Sequence, residues 1–424
     1  MLIPMKKLLA LLLLVPLAAV AQEQKNPEIV ALIHGNLHRA GVNTSPYEYV
    51  KTPETPVPAG YKPFYISHYG RHGSRTEWSR DNYASLVERW DRLADAGNLT
   101  PEGEAAHGMV NRLVAVHNGM DGRLTPRGAR EHREIAARMY RKYKSVFRKG
   151  SRRVRAISST APRCLVSMAA ATAELLSLDP RLDLSWDTGE KIMLICSTED
   201  TKDIKKQVYA TLDERRASHV PDTAAFLAKL LKDPSRAREL SGNPVKLMQD
   251  TFDLASVSAA CDMDDSLLRC FTEDDLYWYS QVIGMNMYLR QCNSREYGDK
   301  RMEPVHYLVE DVIAKADEAI ATQDCAADLR YGHEYQLLAF SSRIGIKGIA
   351  ERLDAVGSRD WPGVLRCPFA CNLQMVFYRN CKGDVLVKCF LNEQEATIIT
   401  LEGGPYYKWE DLRESILRND VKNL

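Results

Sequence analysis

The sequence predicts an α/β protein that carries an inserted α-helical subdomain. Three short apolar runs, ending near positions 71, 157 and 332, are each followed by a turn and a helix pattern, an alternation typical of α/β sheets. Residues from about 190 to 320 instead have helical periodicity and are rich in Leu, Met, Arg, Glu and Lys. These observations predict an α/β core in two parts, 22–185 and 321–424, separated by a mostly helical subdomain, 186–320.

The chain begins with the features of a secretory signal. Met5-Lys6-Lys7 is followed by an apolar run, Leu8 to Val20, and by small residues ending at Ala21. The run is too short to cross a bilayer, and no other stretch approaches 18 uninterrupted apolar residues. We therefore expect residues 1–21 to be removed and the mature protein to be periplasmic or secreted, without stable membrane insertion. The sequence leaves its oligomeric state open.

The charge balance excludes one class of partner. The full chain has 57 basic and 56 acidic residues, and removal of 1–21 takes away two lysines, which leaves 55 against 56. A nearly neutral chain is not typical of a nucleic-acid-binding protein, which is usually strongly basic. The same balance permits a local basic site on a mixed surface.

Ten cysteines give the exported chain two options, disulfide bridges or buried thiols. No Cys-x-x-Cys pair is present, and no histidines stand at zinc spacing around the cysteines. A metal site is therefore not expected.

The first predicted strand ends in a cluster suited to a phosphoryl group. The β-prone run Tyr65 to Tyr69 leads directly into Arg71-His72-Gly73-Ser74-Arg75. Arginine forks match phosphate oxygens and do not lose their charge, so we expect Arg71 and Arg75 to hold a dianion while His72 attacks its phosphorus. The carboxyl ends of strands are also where open α/β sheets bind ligands.

Two similar helix starts follow, and then a second strand end. Leu99-Thr100-Pro101 and Leu124-Thr125-Pro126 each predict a threonine N-cap with proline at the first helical position. The short strand 152–157 leads into a helix that carries Arg163 in its first turn. Because helix N-termini attract anions, Arg163 is a candidate for the third phosphate ligand.

The third strand end, near Gly332, carries an imidazole and a carboxyl group, those of His333 and Glu334. After it, the segments 375–379 and 385–391 predict paired strands, and 409–417 predicts a closing helix.

This ordered set of strand ends resembles the histidine acid phosphatase branch of the histidine phosphatase superfamily. The resemblance extends to the Leu124-Thr125-Pro126-x-Gly128 motif and to Ser158-Ser159 before Arg163. Two segments near the C-terminus are most similar to the multiple inositol polyphosphate phosphatases, a phytate-degrading group within that branch: Asn372-Leu373-Gln374 and Leu391-Asn392-Glu393.

The resemblance implies a three-layer α/β/α core and a phosphohistidine mechanism without metal or other cofactor. His72 would be the nucleophile. The groups around the transferring phosphate would be Arg71, Arg75, Arg163 and His333. Such a mechanism rests on positioning and on electrostatic stabilisation of the charge that the transition state spreads over the phosphate oxygens.

One departure concerns the proton donor. Inositol polyphosphate phosphatases typically have His-Ala-Glu, whereas here Glu334 follows His333 directly and Tyr335 takes the next position. This spacing is closer to the His-Asp of general acid phosphatases. Glu334 is thus the expected donor to the leaving alcohol, a role that needs a carboxyl kept protonated near the working pH. Glu77 is the alternative donor.

The sequence therefore predicts an exported phosphomonoesterase whose partner is a small-molecule substrate, in the first place an inositol polyphosphate such as phytate. A broad-specificity histidine acid phosphatase is the close alternative. A phosphate-binding protein without turnover is a second alternative, favoured by the displaced carboxyl group.

Overall fold

The computed structural model describes residues 25–77, 80–189, 193, 202–218, 222–355 and 361–424. The predicted signal segment 1–21 and Cys196 lie outside the described residues. No helix within the described ranges is long and apolar enough to cross a membrane.

A mixed β-sheet forms the centre of the protein. Its strands are β1 (Lys62–Arg71), β2 (Arg153–Ser158), β3 (Asp183–Thr188), β4 (Ala327–Gly332), β5 (Asn372–Arg379), β6 (Val385–Leu391), β7 (Gln394–Ala396) and β8 (Tyr407–Lys408). Their order is β3-β2-β4-β1-β5-β6-β7, and β8 pairs with β6. Strands β3, β2, β4 and β1 are parallel, whereas β5 to β8 are added by antiparallel pairing.

Helices surround this sheet. Those in the described ranges are α1 (Pro27–Gly35), α2 (Arg80–Asp95), α3 (Pro101–His117), α4 (Pro126–Lys142), α5 (Lys144–Lys149), α6 (Pro162–Leu178), α7 (Lys202–Ser218), α8 (Thr223–Leu230), α9 (Ala237–Ser241), α10 (Pro244–Ser256), α11 (Glu273–Gln291), α12 (Gly298–Arg301), α13 (His306–Thr322), α14 (Glu334–Ile344) and α15 (Trp409–Arg418). Helices α7 to α13 lie between β3 and β4 in the chain, and the last of them ends two residues beyond the segment predicted to be helical.

The two faces of the sheet are both covered, because successive side chains of a strand point to opposite faces. On one face, Ile66 of β1 and Leu329 of β4 belong to a buried cluster with residues of α4, α5 and α6. On the other face, Tyr65 of β1 and Phe377 of β5 belong to a larger cluster that includes residues of α13, α14 and α15. The arrangement is the three-layer α/β/α core that the sequence predicts.

Strand pairing brings the three predicted strand ends together. In the parallel register, Arg71 at the end of β1 pairs with Gly332 at the end of β4, and Ser158 at the end of β2 pairs with Tyr331. The segments that follow these strands therefore leave the sheet at the same edge.

Helix α4 begins with the predicted cap beside this edge. The Thr125 side chain accepts a hydrogen bond from the Gly128 N–H at 3.3 Å, and Pro126 occupies the first helical position. Gly128 allows a close approach, since a Cβ atom built on it would lie 2.2 Å from the Ser74 carbonyl oxygen. The N-terminus of α4 thus packs directly against the segment that follows β1.

The nine described cysteines are free thiols, so disulfide bridges, one of the two options, are not present among them. Seven of these residues are buried. Burial raises the pKa of the Cys389 thiol to about 12, which leaves it protonated and unreactive. Among the described cysteines, the alternative of buried thiols is the one that the structure supports.

Candidate active site

His72 is almost completely buried directly after β1. Its backbone N–H donates to the Gly332 carbonyl at 2.8 Å, and its carbonyl accepts from the Ala370 N–H at 3.0 Å. Its Nδ1 lies 3.0 Å from the Gly73 carbonyl oxygen. Because a carbonyl oxygen can only accept, Nδ1 carries the ring proton and Nε2 keeps its lone pair.

The surroundings of His72 keep its imidazole neutral. Burial, followed by the positive charges of Arg71, Arg75 and Arg163, holds the pKa of His72 well below its usual range. A neutral ring with a lone pair on Nε2 is the form that can attack phosphorus.

Arg71 is fully buried, and most of its guanidinium group is fixed by protein groups. Its Nε lies 3.1 Å from a carboxylate oxygen of Glu334. Its Nη2 is buried without a hydrogen-bond partner among the described residues, which leaves it available to an anion. Its Nη1 donates to three backbone carbonyls: Asn43 at 2.6 Å, Pro368 at 3.0 Å and Cys367 at 3.3 Å.

Arg75 is buried on the other side of His72 in the chain. Its Nη1 donates to the Thr76 carbonyl at 2.8 Å and lies 3.4 Å from a carboxylate oxygen of Glu77. The ring of Phe369 packs against both guanidinium groups, 5.7 Å from that of Arg75 and 4.7 Å from that of Arg71. One aromatic face therefore supports two of the three predicted phosphate ligands.

Arg163 and His333 contact each other. Arg163 Nη2 lies 3.2 Å from His333 Nδ1, and since a guanidinium only donates, that Nδ1 is the acceptor. His333 Nε2, 3.2 Å from the Ser159 hydroxyl oxygen, then carries the ring proton. Burial and then Arg163 lower the pKa of His333 to about 3, so this ring is also neutral. Tyr335 stacks on it with ring centroids 4.9 Å apart.

These residues surround one point. One reactive atom from each of His72, His333 and Glu334 lies within 4.8 Å of the others. Two imidazoles and a carboxylate at this spacing can in principle hold a metal ion. With three guanidinium groups around them, however, the charge of the site favours an anion. The structure thus brings together all six residues that the sequence selects.

Glu334 is ionised in the unliganded site. Burial acts to raise its pKa, but the positive charge of Arg71, the largest opposing cause, lowers the pKa of Glu334 to about 2. A proton donor has to carry a proton, so it needs a protonated carboxyl group. The side chain therefore lies within the site, but its charge state in the unliganded protein is not the one that the sequence predicts.

A further carboxyl group, that of Asp253, lies near Glu77, the partner of Arg75. Asp253 of α10 is exposed, in a crowded part of the surface. This crowding, together with the negative charges of Glu77 and Asp250, raises the pKa of Asp253 to about 7. Asp253 was not predicted from the sequence, because a single aspartate in a helical segment has no local signature. The backbone carbonyls that fix Arg71 were not predicted either, because they also have no local signature.

Comparisons with known proteins agree with this fold. No protein-family model and no curated relative matches the chain. The multiple inositol polyphosphate phosphatase of Bifidobacterium longum, solved with phosphate, is similar with a TM-score of 0.74 at 16% identity, over 89% of this chain and 97% of that one. Its complex with inositol hexasulfate gives a TM-score of 0.71 at 16% identity over the same shares.

The phytase of D. castellii is similar with a TM-score of 0.67 at 15% identity, over 94% of this chain and 89% of that one. The predicted fold class is thereby confirmed: the chain has the three-layer fold of the histidine phosphatases, to which these phytases belong.

Proposed function

We propose that this chain, which shares the fold of inositol polyphosphate phosphatases and phytases, hydrolyses phosphomonoesters through a phosphohistidine. The observation that carries the proposal is a neutral, buried His72 whose Nε2 lone pair is free, enclosed by three guanidinium groups. Guanidinium groups bind the phosphate oxygens and stabilise the charge that develops in the transition state.

The reaction has two steps. In the first, His72 Nε2 forms a bond to phosphorus while the bond between phosphorus and the leaving oxygen breaks, and Glu334 gives its proton to that oxygen. In the second, water attacks phosphorus, the N–P bond breaks, and Glu334 takes a proton from the water. Inorganic phosphate leaves, and both side chains return to their starting states.

Substrate binding raises the pKa of Glu334, which then takes up from solvent the proton that it lacks at rest. A phosphate group brings negative charge to within a few ångströms of the carboxylate and competes for Arg71, whose charge holds the Glu334 pKa at about 2. A nearby like charge raises the pKa of a carboxyl group. We expect Glu334 to be protonated in the complex at mildly acidic pH, which favours an acid optimum.

Inositol polyphosphates are the proposed substrate class. The fold similarity to an inositol polyphosphate phosphatase, solved with phosphate and with inositol hexasulfate, supports this choice. One observation favours the broad-specificity alternative: Glu77 puts negative charge beside Arg75, which disfavours highly charged substrates. The ionised Glu334 in turn favours the alternative of phosphate binding without turnover.

Phosphate release tests these alternatives. The chain is assayed with phytate and with p-nitrophenyl phosphate at mildly acidic pH in the presence of EDTA, with His72→Ala as the control for contaminating phosphatases. We expect activity on both substrates and a preference for phytate. A preference for p-nitrophenyl phosphate would support the broad-specificity enzyme, and inactivity on every phosphomonoester would support the binding protein.

We also propose that residues 1–21 direct export to the periplasm or the medium. The basic start, apolar run and small residues before Gln22 support this proposal. Expression of the full chain followed by cell fractionation and intact mass measurement tests it. A mature protein that begins at Gln22 outside the cytoplasm is expected, and an uncleaved protein in the cytoplasm would contradict it.

A further inference from the structure

Glu131 is a buried carboxylate that takes no part in the chemistry above. It lies in α4, and only 5% of its surface is exposed. One of its oxygens accepts from the Ser74 backbone N–H at 2.7 Å. The other accepts from the Ser74 hydroxyl at 2.6 Å and from the Tyr47 backbone N–H at 3.1 Å.

Ser74 stands between His72 and Arg75, so these bonds hold the segment that carries both residues. The Ser74 carbonyl is fixed as well, since it accepts from the Thr125 N–H at 2.9 Å and from the Thr125 hydroxyl at 3.1 Å. Every polar group of Ser74 is thus bonded either to Glu131 of α4 or to Thr125, the N-cap of that helix. Gly73 presses against the same helix, because a Cβ atom built on it would lie 2.4 Å from the Gly128 carbonyl oxygen.

We propose that Glu131 is a positioning residue that sets where His72 and Arg75 meet the phosphate. It does not contact the substrate, and its role rests on the proposed function of the site. Hydrogen bonds to an ionised acceptor are shorter and stronger than those between neutral groups. Catalysis by positioning is also sensitive to small displacements, since a shift of about 1 Å can lower the rate about a hundredfold.

The arrangement requires a carboxylate. Three donors converge on two oxygens, and two of the donors are backbone N–H groups bonded to different oxygens. Glutamine has one oxygen and one NH2 group. In either orientation of that amide, the backbone N–H of Ser74 or of Tyr47 would face NH2 and lose its acceptor. Glu131→Gln therefore removes one of the hydrogen bonds that hold the segment between His72 and Arg75, without changing the volume of the side chain.

Steady-state kinetics of the full chain tests this inference, with p-nitrophenyl phosphate, an alkyl phosphate and inorganic phosphate as inhibitor. We expect Glu131→Gln to lower kcat/KM about tenfold to a hundredfold by the same factor on both substrates, and to weaken phosphate inhibition about tenfold. The matched control is Glu134→Gln, the same substitution on an exposed position of α4, which should behave as the parent.

Three outcomes would overturn the proposal. The first is a folded Glu131→Gln protein whose kcat/KM and phosphate inhibition lie within twofold of the parent. The second is a lower melting temperature with unchanged KM and phosphate inhibition in the folded fraction, which a purely structural role predicts. If Glu131→Gln does not fold, Ser74→Ala removes one of the three bonds, and we expect a loss of about threefold on both substrates. Parent-like kinetics of Ser74→Ala would be the third outcome that overturns the proposal.

Failure of the proposed function can be distinguished from failure of the positioning role of Glu131. It would appear as an inactive parent, and calorimetry of inorganic phosphate binding would then replace kinetics. In that case, weaker binding to Glu131→Gln than to the parent would still support the positioning role, and equal binding would contradict it.

Discussion

Replacement of Glu334 by glutamine is expected to tighten anion binding while it slows turnover. At rest the Glu334 carboxylate is ionised and lies 3.1 Å from Arg71 Nε. An incoming anion therefore meets a negative charge beside the guanidinium group that binds it. Glutamine keeps the shape of the side chain, removes that charge and also removes the proton donor.

The size of the effect follows from the spacing of the site. Reactive atoms of His72, His333 and Glu334 lie within 4.8 Å of one another, so an anion held at His72 is roughly 5 Å from the Glu334 carboxylate. At that distance and an effective dielectric constant of about 20, two unit charges interact by about 3 kcal/mol. Partial contact of Glu334 with solvent reduces this value, and we expect about 1–3 kcal/mol, or about fivefold to 150-fold tighter binding.

Sulfate is the suitable probe because it is a dianion that is not hydrolysed. Its affinity is measured by titration calorimetry at about pH 6, where Glu334 with a pKa of about 2 is ionised. In parallel, kcat is measured with p-nitrophenyl phosphate and with an alkyl phosphate. Because nitrophenolate leaves without protonation, Glu334→Gln should slow the alkyl phosphate more.

Glu77→Gln is the matched control. Glu77 also pairs with an arginine of the site, but at 3.4 Å and with a more exposed side chain, 26% against 15% for Glu334. Its replacement should change sulfate binding less and leave the leaving-group dependence intact. Sulfate affinity that is unchanged or weaker in Glu334→Gln would refute the competition for Arg71. Equal slowing of both substrates would remove Glu334 from the donor role, and a leaving-group effect in Glu77→Gln would transfer that role to Glu77.

Three further predictions concern other parts of the site. His72→Ala should abolish phosphate release and the acid-labile phosphoprotein trapped by rapid quenching, whereas residual trapping would contradict the nucleophile. Gly73→Ala should lower kcat/KM about a hundredfold and also lower the melting temperature, because its Cβ would lie 2.4 Å from the Gly128 carbonyl oxygen; parent-like kinetics would show that the loop has room. Asp253→Asn should raise the melting temperature by roughly 1–2 °C at about pH 8 and leave it unchanged near pH 4. The sign follows because the pKa of Asp253 in the folded protein, about 7, lies above the unfolded value, so the destabilisation grows as pH rises from about 4 to 7; an equal shift at both pH values would contradict it.

The sequence predicted the elements whose signals are local. Thr125-Pro126 marks the start of α4 because a capping hydroxyl and a proline at the first helical position both act within one turn. The paired strands 375–379 and 385–391 were found because their apolar residues flank a turn, although β5 begins earlier, at Asn372. The edge strand β3 was not predicted, because its side chains are mostly exposed and give no apolar pattern. It is held in the sheet by its pairing with β2.

The residues of the site were predicted from the sequence, but their charge states were not. Arg71, His72 and Arg75 are adjacent in the chain, and their chemistry is readable there. The expected protonated carboxyl at Glu334 was not found in the unliganded site, because its pKa depends on Arg71, a partner more than 200 residues away in the sequence. Glu131 was missed for the same kind of reason, since its contacts with Ser74 and Tyr47 exist only after folding.

The sequence by itself determined which side chains stand at the strand ends, and with them the phosphate chemistry that we propose. Residue type and short-range spacing are sufficient for that, because caps, turns and strand ends are set by neighbouring residues. Only the tertiary structure decided that these ends share one edge of the sheet, that His72 is neutral and that Glu334 is ionised. Register and burial decide those points, and both arise from contacts between segments distant in the chain.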